Sequence, residues 1–396
     1  MNKEAVMAAE ATHYLPVFNR YPIVLERGEG CTVYDADGKA YVDFLAGIAV
    51  NALGHAHPRL VKAIADQAGK MIHCSNLFYT EVQSKLITRL AALSGLERVF
   101  LANSGAEANE GAMKLARKWA NAKDPGKKRI ISAVHSFHGR TLATLTVTGQ
   151  AKYQEGFDPL PAGFSYVAYG DLAQLKDQMG KDVCAVMLEP IQGEGGVHVP
   201  EPGYLAAVKA LCEENNALLI FDEIQTGVGR TGKMFAYEHE GVKPDIVTLA
   251  KGLAGGVPIG AFMASETVAQ AFHPGDHGST FGGNPLAAAA ANAVLDVIEE
   301  ESLIANAEKM GGYFMAKLQE LAVQFPTLVK EVRGRGLLVG MELTKAGNGI
   351  VLACMEQGVI INCTAGNVLR FVPPLIVTEK EIDRVIAVLA KVLRQQ

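Results

Sequence analysis

Two short apolar runs without polar alternation stand out in the middle of the chain. The first, Leu218–Phe221, is followed by Asp222, and the second, Ile246–Ala250, is followed by Lys251. Continuous apolar runs of this length are typical of parallel strands that are buried on both faces. Because open α/β sheets bind their ligands at the carboxyl ends of strands, we expect Asp222 and Lys251 to lie at one ligand site.

The hydrophobic pattern before residue 300 predicts alternating strands and helices. Strands are predicted at 99–102, 130–134, 183–188, 218–222, 246–250 and 259–264. Helices are predicted at 58–70, 81–94, 171–181, 203–215 and 285–299, and a further helix follows the segment 103–110 and ends near Ala120. The Asp37-Gly38 step between two strand-like runs predicts a hairpin over 32–44. Residues 1–30 are expected to be irregular beyond an initial helix, because Pro16 and Pro22 interrupt them.

The pattern changes character after residue 300 and indicates a second, α+β module. Helices are predicted at 302–324, 349–357 and 379–394. A single strand is predicted over 332–343, another over 359–362, and an extended segment over 368–374. The chain is therefore expected to contain more than one domain, which its length of 396 residues also favours.

Composition excludes several classes of function. A hydrophobic fraction of 49% and a net charge of −5 are ordinary for a soluble protein and disfavour nucleic acid as a partner. The six cysteines are scattered without a C-x-x-C pair, which favours a reducing compartment and disfavours zinc. The pairs His55/His57 and His135/His138 lack a third candidate ligand nearby. No apolar stretch is long enough for a membrane helix, and no targeting signal is evident, so we expect a cytoplasmic protein.

The chemistry of the two strand ends points to pyridoxal phosphate (PLP). A lysine amine can form a Schiff base with an aldehyde, and an aspartate can keep a pyridine nitrogen protonated. The glycine-rich run after Lys251, Gly252–Gly256, lets the backbone approach a planar ligand closely. Taken alone, an Asp or Lys at a strand end is more often a solvated terminus.

Longer segments carry a resemblance to a known family. Phe221–Gly227 and Leu249–Gly252 resemble the class III (fold type I) PLP-dependent aminotransferases, and the similarity extends over essentially the whole chain. It implies an α/β fold: a large domain with a mostly parallel seven-stranded sheet, plus a smaller α+β domain. The implied organisation is 51–300 for the large PLP-binding domain and 301–396 for the small one, with 1–50 contributing to the latter. Fold type I members are homodimers with shared active sites, so a homodimer is implied.

The resemblance also implies which residues bind the cofactor. Lys251 and Asp222 would be the catalytic pair, and Gln225 would contact the 3-hydroxyl side of the ring. The aromatic ring that stacks on the cofactor would be Phe137, and the phosphate of the other subunit would be bound by Thr280. The family's phosphate-binding segment matches Ser104, Gly105 and Ala106. A strand followed by a Ser-Gly turn and a helix start is also an anion site on physical grounds, although Ser104 could be merely an N-cap. Ala106 stands where many members have threonine. The hydroxyl contact to the phosphate would be absent, so the backbone N–H would have to bind the phosphate instead.

Four residues are implied to bind substrates. Arg140 follows Phe137-His138-Gly139 and matches the arginine that binds the α-carboxylate of the donor in acetylornithine aminotransferases. Arg370 matches the arginine that binds glutamate, and Glu194 matches the glutamate that pairs with it. Ser279 would lie beside the substrate. A guanidinium fork suits a carboxylate, although either arginine could instead be a solvated loop or strand-end residue.

The resemblance therefore implies a specific transamination in arginine metabolism. The distal amine of N2-acetylornithine would pass to 2-oxoglutarate, giving N-acetylglutamate semialdehyde and glutamate. N-Succinylornithine, 4-aminobutyrate and ornithine remain alternative donors. A noncatalytic PLP-binding protein and a lyase or aminomutase on the same fold remain alternative functions. The acyl group, the pathway direction and any assembly beyond a dimer stay open.

Overall fold

The computed structural model describes residues 2–396 and has strands and helices alternating along most of this range. The strands are β1 (Leu25–Glu29), β2 (Thr32–Asp35), β3 (Ala40–Asp43), β4 (Arg98–Ala102), β5 (Arg129–Ala133), β6 (Phe164–Val167), β7 (Val183–Leu188), β8 (Leu218–Asp222), β9 (Ile246–Leu249), β10 (Gly260–Ala264), β11 (Val329–Arg335), β12 (Leu338–Leu343), β13 (Val359–Ile360), β14 (Asn362–Thr364) and β15 (Val368–Phe371).

The helices cover the sheets and supply several of the loops. They are α1 (Lys3–His13), α2 (Ala46–Ala49), α3 (Pro58–Ala68), α4 (Glu81–Ser94), α5 (Gly105–Lys123), α6 (Leu142–Val147), α7 (Ala151–Gln154), α8 (Leu172–Gln178), α9 (Tyr204–Glu214), α10 (Glu266–Ala269), α11 (Pro285–Glu300), α12 (Leu303–Gln324), α13 (Asn348–Glu356) and α14 (Glu379–Leu393). Among the helices of residues 2–396, none combines the length and the apolar character needed to cross a bilayer.

The largest sheet has seven strands in the order β4-β10-β9-β8-β7-β5-β6. Only β10 runs antiparallel to its neighbours, so the predicted mostly parallel sheet is confirmed. The side chains of β8 alternate between two apolar clusters. Leu219 and Phe221 join one cluster with α11, and Leu218 and Ile220 join the other with α5. Burial on both faces explains why these strands read as continuous apolar runs.

Two further sheets of four strands each are formed within residues 2–396. The first has the order β1-β2-β3-β13 and the second the order β11-β12-β15-β14. The predicted hairpin at Asp37-Gly38 joins β2 to β3, with φ of Gly38 at 82°. The parallel pairing of β13 with β3 joins the N-terminal segment to the C-terminal module. This pairing supports the proposal that 1–50 and 301–396 contribute to one small domain.

Three expectations about local structure were wrong. The strand expected over 332–343 is the hairpin β11–β12, because Gly336 turns at φ 54° where an added Cβ would lie 2.4 Å from the Thr231 carbonyl carbon. The strand expected over 359–362 is divided between two sheets, since β13 pairs with β3 and β14 with β15. The segment expected to be irregular contains β1, which is largely exposed and so lacks an apolar signature.

Candidate active site

A cavity of about 380 Å³ opens at the carboxyl ends of the parallel strands. This volume lies in the range of small-molecule sites. Nine residues predicted to bind cofactor or substrate line it: Ser104, Gly105, Ala106, Phe137, Arg140, Glu194, Asp222, Gln225 and Lys251. The expectation that the ends of β8 and β9 form one site therefore agrees with the geometry, as β8 ends at Asp222 and β9 ends just before Lys251.

Lys251 begins a short 3₁₀ turn immediately after β9 and has an unusual backbone conformation. Its φ is 40°, a left-handed value that a residue with a side chain seldom adopts. Strained conformations of this kind cluster at functional sites. Burial, with a smaller contribution from the positive charge of Arg370, lowers the pKa of the amine to about 8, although the charges of Glu194 and Asp222 oppose the shift. Lys251 is therefore far more available as a neutral amine than an exposed lysine.

Asp222 is 3% exposed, and its carboxylate is held by three donors. Oδ2 accepts hydrogen bonds of 2.8 Å from Asn109 Nδ2 and 2.8 Å from His138 Nδ1, and Oδ1 accepts from the Ile224 amide at 3.0 Å. Because an ionised carboxylate can only accept, Nδ1 of His138 carries the hydrogen. The other ring nitrogen of His138 lies 3.2 Å from the Ser132 hydroxyl. These contacts stabilise a buried negative charge that faces the cavity.

His138 and Asn109 are site residues that the sequence analysis missed. The sequence suggests only a metal-ligand role for His138, because its partner Asp222 is 84 residues away in the chain. Asn109 did leave a signal. It lies between Ala108 and Ala112 on the buried face of α5, where a polar residue needs a specific partner.

The N-terminus of α5 forms another part of the cavity wall. Ser104 is the N-cap and accepts a 3.2 Å hydrogen bond from the Glu107 amide. A Cβ added at Gly105 would lie 2.7 Å from the Ile224 side chain, so a larger residue here would have to displace that side chain. The helix dipole and the free amide groups of the first turn favour an anion at this end.

Phe137 and Arg140 form one wall of the cavity. The Phe137 amide donates a 3.1 Å hydrogen bond to Glu189, a buried carboxyl that also accepts from Gly193 at 3.2 Å. Burial raises the pKa of Glu189 to about 7. Glu189 thus joins two loops that line the site. Arg140 is exposed, and its guanidinium contacts two aromatic rings rather than a carboxylate.

Arg370 lies behind Glu194 and Gln225 and is fully buried. Its Nη1 donates to Glu194 Oε2 at 2.7 Å and to Gln225 Oε1 at 3.3 Å, and its Nε donates to Asn362 at 3.2 Å. Burial alone would raise the pKa of Glu194, but the charge and hydrogen bond of Arg370 outweigh it and hold that pKa below its usual range. Nη2 of Arg370 is buried and has no partner within residues 2–396.

The two remaining predicted residues lie outside the cavity lining. Ser279 accepts a 3.0 Å hydrogen bond from Asn103 Nδ2, just before the N-terminus of α5. Thr280 is exposed. Within residues 2–396 it forms no hydrogen bond with a residue that lines the cavity of its own chain. Their predicted roles beside the substrate and at a partner's phosphate stay predictions.

The residues of the cavity fit PLP. A buried carboxylate, an amine of lowered pKa and a helix N-terminus occupy three separate parts of its wall. These groups match the ring nitrogen, the aldehyde and the phosphate of that cofactor. The aromatic ring of Phe137 adds an apolar surface for a flat ligand.

Comparisons with known proteins agree with this chemistry. A curated relative, the acetylornithine aminotransferase of Caldanaerobacter subterraneus subsp. tengcongensis, is 54% identical over 388 residues and covers 98% of each chain. The solved ornithine aminotransferase of Toxoplasma gondii, reported with partial occupancy of PLP at its active site, has a TM-score of 0.95 and 38% identity, covering 99% of this chain and 94% of that one. The acetylornithine aminotransferase of Elizabethkingia anophelis has a TM-score of 0.89 and 37% identity, covering 100% of both chains.

The family assignment rests on a match along nearly the whole sequence. The model of Aminotransferase class-III matches residues 16–393. The predicted fold type I architecture, the PLP cofactor and the aminotransferase class of enzyme are thereby confirmed. This chain belongs to the class-III aminotransferases.

Proposed function

We propose that this enzyme transfers the distal amino group of N2-acetylornithine to 2-oxoglutarate. The products are N-acetylglutamate semialdehyde and glutamate. The name of the 54% identical relative supports the donor. The observation that carries the proposal is a pair of arginines in different states, Arg140 on the cavity wall and Arg370 buried against Glu194. The two half-reactions bind different carboxylates and therefore need two such anchors, Arg140 for the acylated donor and Arg370 for glutamate or 2-oxoglutarate.

The residues present would hold PLP at both ends and at its centre. Lys251 would bind it covalently, Asp222 would face the ring nitrogen, and the segment Ser104–Ala106 would bind the phosphate. When bound, PLP withdraws electrons from the amine-bearing carbon of the substrate. Lys251, released when the substrate amine takes its place, would take the proton from that carbon, a task that its lowered pKa suits. Asn109 and His138 keep Asp222 oriented, since both donate to Oδ2.

The two half-reactions use different carboxylate sites. In the first, Arg140 binds the α-carboxylate of the acylated donor and thereby directs the distal amine towards Lys251. Glu194 meanwhile neutralises Arg370 through the 2.7 Å ion pair. In the second, a carboxylate of glutamate or 2-oxoglutarate displaces Glu194 and takes the buried Nη2 as an additional donor. This exchange explains how one cavity serves amines at different distances from a carboxylate.

We further propose a homodimer in which Thr280 and Ser279 serve the site across the interface. Tyr79 is 100% exposed and Leu77 85% exposed. The segment that carries them is joined to the Ser279 loop, because Asn76 Nδ2 donates to the Ser279 carbonyl at 3.1 Å. An exposed apolar patch of this kind supports an interface here, because soluble proteins seldom leave large apolar patches uncovered. We also propose the cytoplasm as the compartment. All six cysteines are free, which suits a reducing environment.

A panel of half-reactions tests the proposed function. The PLP-loaded protein is mixed with N-acetylornithine, N-succinylornithine, ornithine, 4-aminobutyrate or glutamate, and loss of the visible cofactor absorption is followed. Fast loss with N-acetylornithine and glutamate, and slow loss with ornithine, is expected. A preference for the succinyl donor or for 4-aminobutyrate would change the substrate, and no loss with any donor would refute transamination.

Lys251→Ala supplies the control for covalent binding of the cofactor. After borohydride reduction, mass spectrometry is expected to find a cofactor adduct on the Lys251 peptide of the unmodified enzyme. The variant should carry no adduct while keeping its thermal stability. An adduct on another lysine would contradict the assignment of Lys251.

A further inference from the structure

The guanidinium of Arg140 rests on an aromatic surface made by two residues. Its central carbon lies 3.8 Å from the ring centre of Tyr153 and 5.3 Å from that of Phe137. The two rings meet edge to face, with centres 6.0 Å apart and planes at 84°. A guanidinium at such distances is attracted to the ring face, while its N–H groups remain free in the guanidinium plane.

The helix that carries Tyr153 is fixed on both sides of that residue. On one side, Gln150 Nε2 donates to the Ser136 carbonyl at 2.9 Å. On the other, Gln154 Nε2 donates to the Thr148 carbonyl at 2.9 Å and also contacts the Tyr166 hydroxyl at 2.9 Å. The backbone that carries Tyr153 is therefore held by the large domain independently of Arg140. An aromatic ring on such a backbone limits the rotamers that the long arginine side chain can adopt.

We propose that Tyr153 is a positioning residue that determines affinity for the carboxylate of the amino donor. Its ring holds the exposed Arg140 with the guanidinium edge directed at the cavity, in place of the carboxylate partner that usually orients an arginine. Tyr153 does not touch the reacting atoms and acts through Arg140. This inference rests on the proposed role of Arg140 in donor binding.

The role requires the ring and not the hydroxyl group, which fixes the choice of variants. Tyr153→Phe keeps the aromatic face, whereas Tyr153→Leu removes it and keeps an apolar side chain. Phe157→Leu is a matched control, because it makes the same ring-to-leucine change four residues away on a largely exposed side chain. The probe is N-acetylnorvaline, which has the α-carboxylate and acetyl group of the donor but no distal amine to react.

Calorimetric titration of the PLP-loaded enzyme measures the Kd of this probe. Tyr153→Leu is expected to raise Kd about 3- to 30-fold, the range of cation–π contacts. Tyr153→Phe and Phe157→Leu should stay within about twofold of the unmodified enzyme. In the double variant with Arg140→Ala, loss of the ring should add nothing, because the group that it positions is gone.

The glutamate half-reaction separates positioning from general damage. In Tyr153→Leu its rate should stay within about twofold, since glutamate is assigned to Arg370. An equal loss for both substrates, an unchanged Kd, or a Tyr153→Phe variant as weak as Tyr153→Leu would overturn the inference. If Arg140→Ala itself leaves Kd unchanged, the proposed role of Arg140 fails, and the inference fails with it. Weak binding in Arg140→Ala with normal binding in Tyr153→Leu would refute the inference alone.

Discussion

Arg140 and Arg370 serve the same cavity from opposite environments. Arg140 is exposed and rests on aromatic rings, whereas Arg370 is fully buried and paired with Glu194. We propose that the first presents an available cation to a carboxylate that enters. The second would stay neutralised until a substrate carboxylate competes with Glu194. The comparison suggests that one cavity can select between two substrates when one arginine has a competing carboxylate and the other has none.

The largest expected effect follows removal of the buried arginine. Arg370→Ala should lower kcat/KM of the glutamate half-reaction about 100-fold or more, because a buried, hydrogen-bonded charge is lost. The N-acetylornithine half-reaction should change only a few-fold. Stopped-flow absorption of the bound cofactor measures both. Arg370→Lys is the control that keeps the charge without the fork, and equal losses in both half-reactions would contradict separate sites.

Removal of the exposed arginine should produce the reverse pattern with a smaller effect. Arg140→Ala should lower kcat/KM for N-acetylornithine about 10- to 100-fold, the value of a charge-assisted contact that is partly screened by solvent. The rate with glutamate should be retained. The same stopped-flow assay applies, and raised salt should weaken donor binding only while Arg140 is present. Loss of the glutamate reaction instead would break the comparison.

Glu194→Gln should leave the buried Arg370 without a negative partner, as the exposed Arg140 already is. A neutral amide cannot neutralise Arg370, so the preference for N-acetylornithine over glutamate should fall about 3- to 10-fold. The ratio of kcat/KM values in a competition assay measures this preference. Glu194→Asp keeps the negative charge and should retain much of the preference. A preference that rises in Glu194→Gln would exclude the masking role.

The smallest effect concerns the protonation of Lys251. Burial and the charge of Arg370 both disfavour its ammonium form, which gives a pKa of about 8. Arg370→Gln should therefore raise the Lys251 pKa, while Arg140→Gln should leave it in place. NMR titration of the cofactor-free, ¹³C-methylated protein measures this pKa, with the signal assigned by its loss in Lys251→Arg. If the Lys251 pKa shifted in Arg140→Gln but not in Arg370→Gln, Arg140 and not Arg370 would be the charge that acts on Lys251.

Local sequence predicted the site better than it predicted the small domain. Asp222 and Lys251 were found because a buried parallel strand leaves an apolar run that ends abruptly at its ligand-binding end. The partners of Asp222 were missed, since contacts across 84 and 113 residues leave no pattern in neighbouring positions. The roles of Arg140, Glu194 and Arg370 came from the family resemblance alone. No spacing in the sequence indicates that Arg140 is exposed and Arg370 is buried.

The errors in the small domain have a common physical cause. β13 has two residues and β14 has three, too few for a period of two to be recognised. Their separation depends on pairing with β3 and β15, which lie elsewhere in the sequence. The turn at Gly336 similarly depends on close packing against Thr231. Such boundaries are set by tertiary contacts and not by local propensity.

Crystal structures of PLP-loaded Lys251→Ala with each amino donor would test the two-state view of Arg370 most directly. With N-acetylornithine bound, the distance from Glu194 Oε2 to Arg370 Nη1 should stay near 2.7 Å, with the donor carboxylate on Arg140. With glutamate bound, that ion pair should be open and Arg370 should bind the substrate, while Arg140 remains on Tyr153. Glutamate bound at Arg140, or an intact Glu194–Arg370 pair in both complexes, would contradict the account.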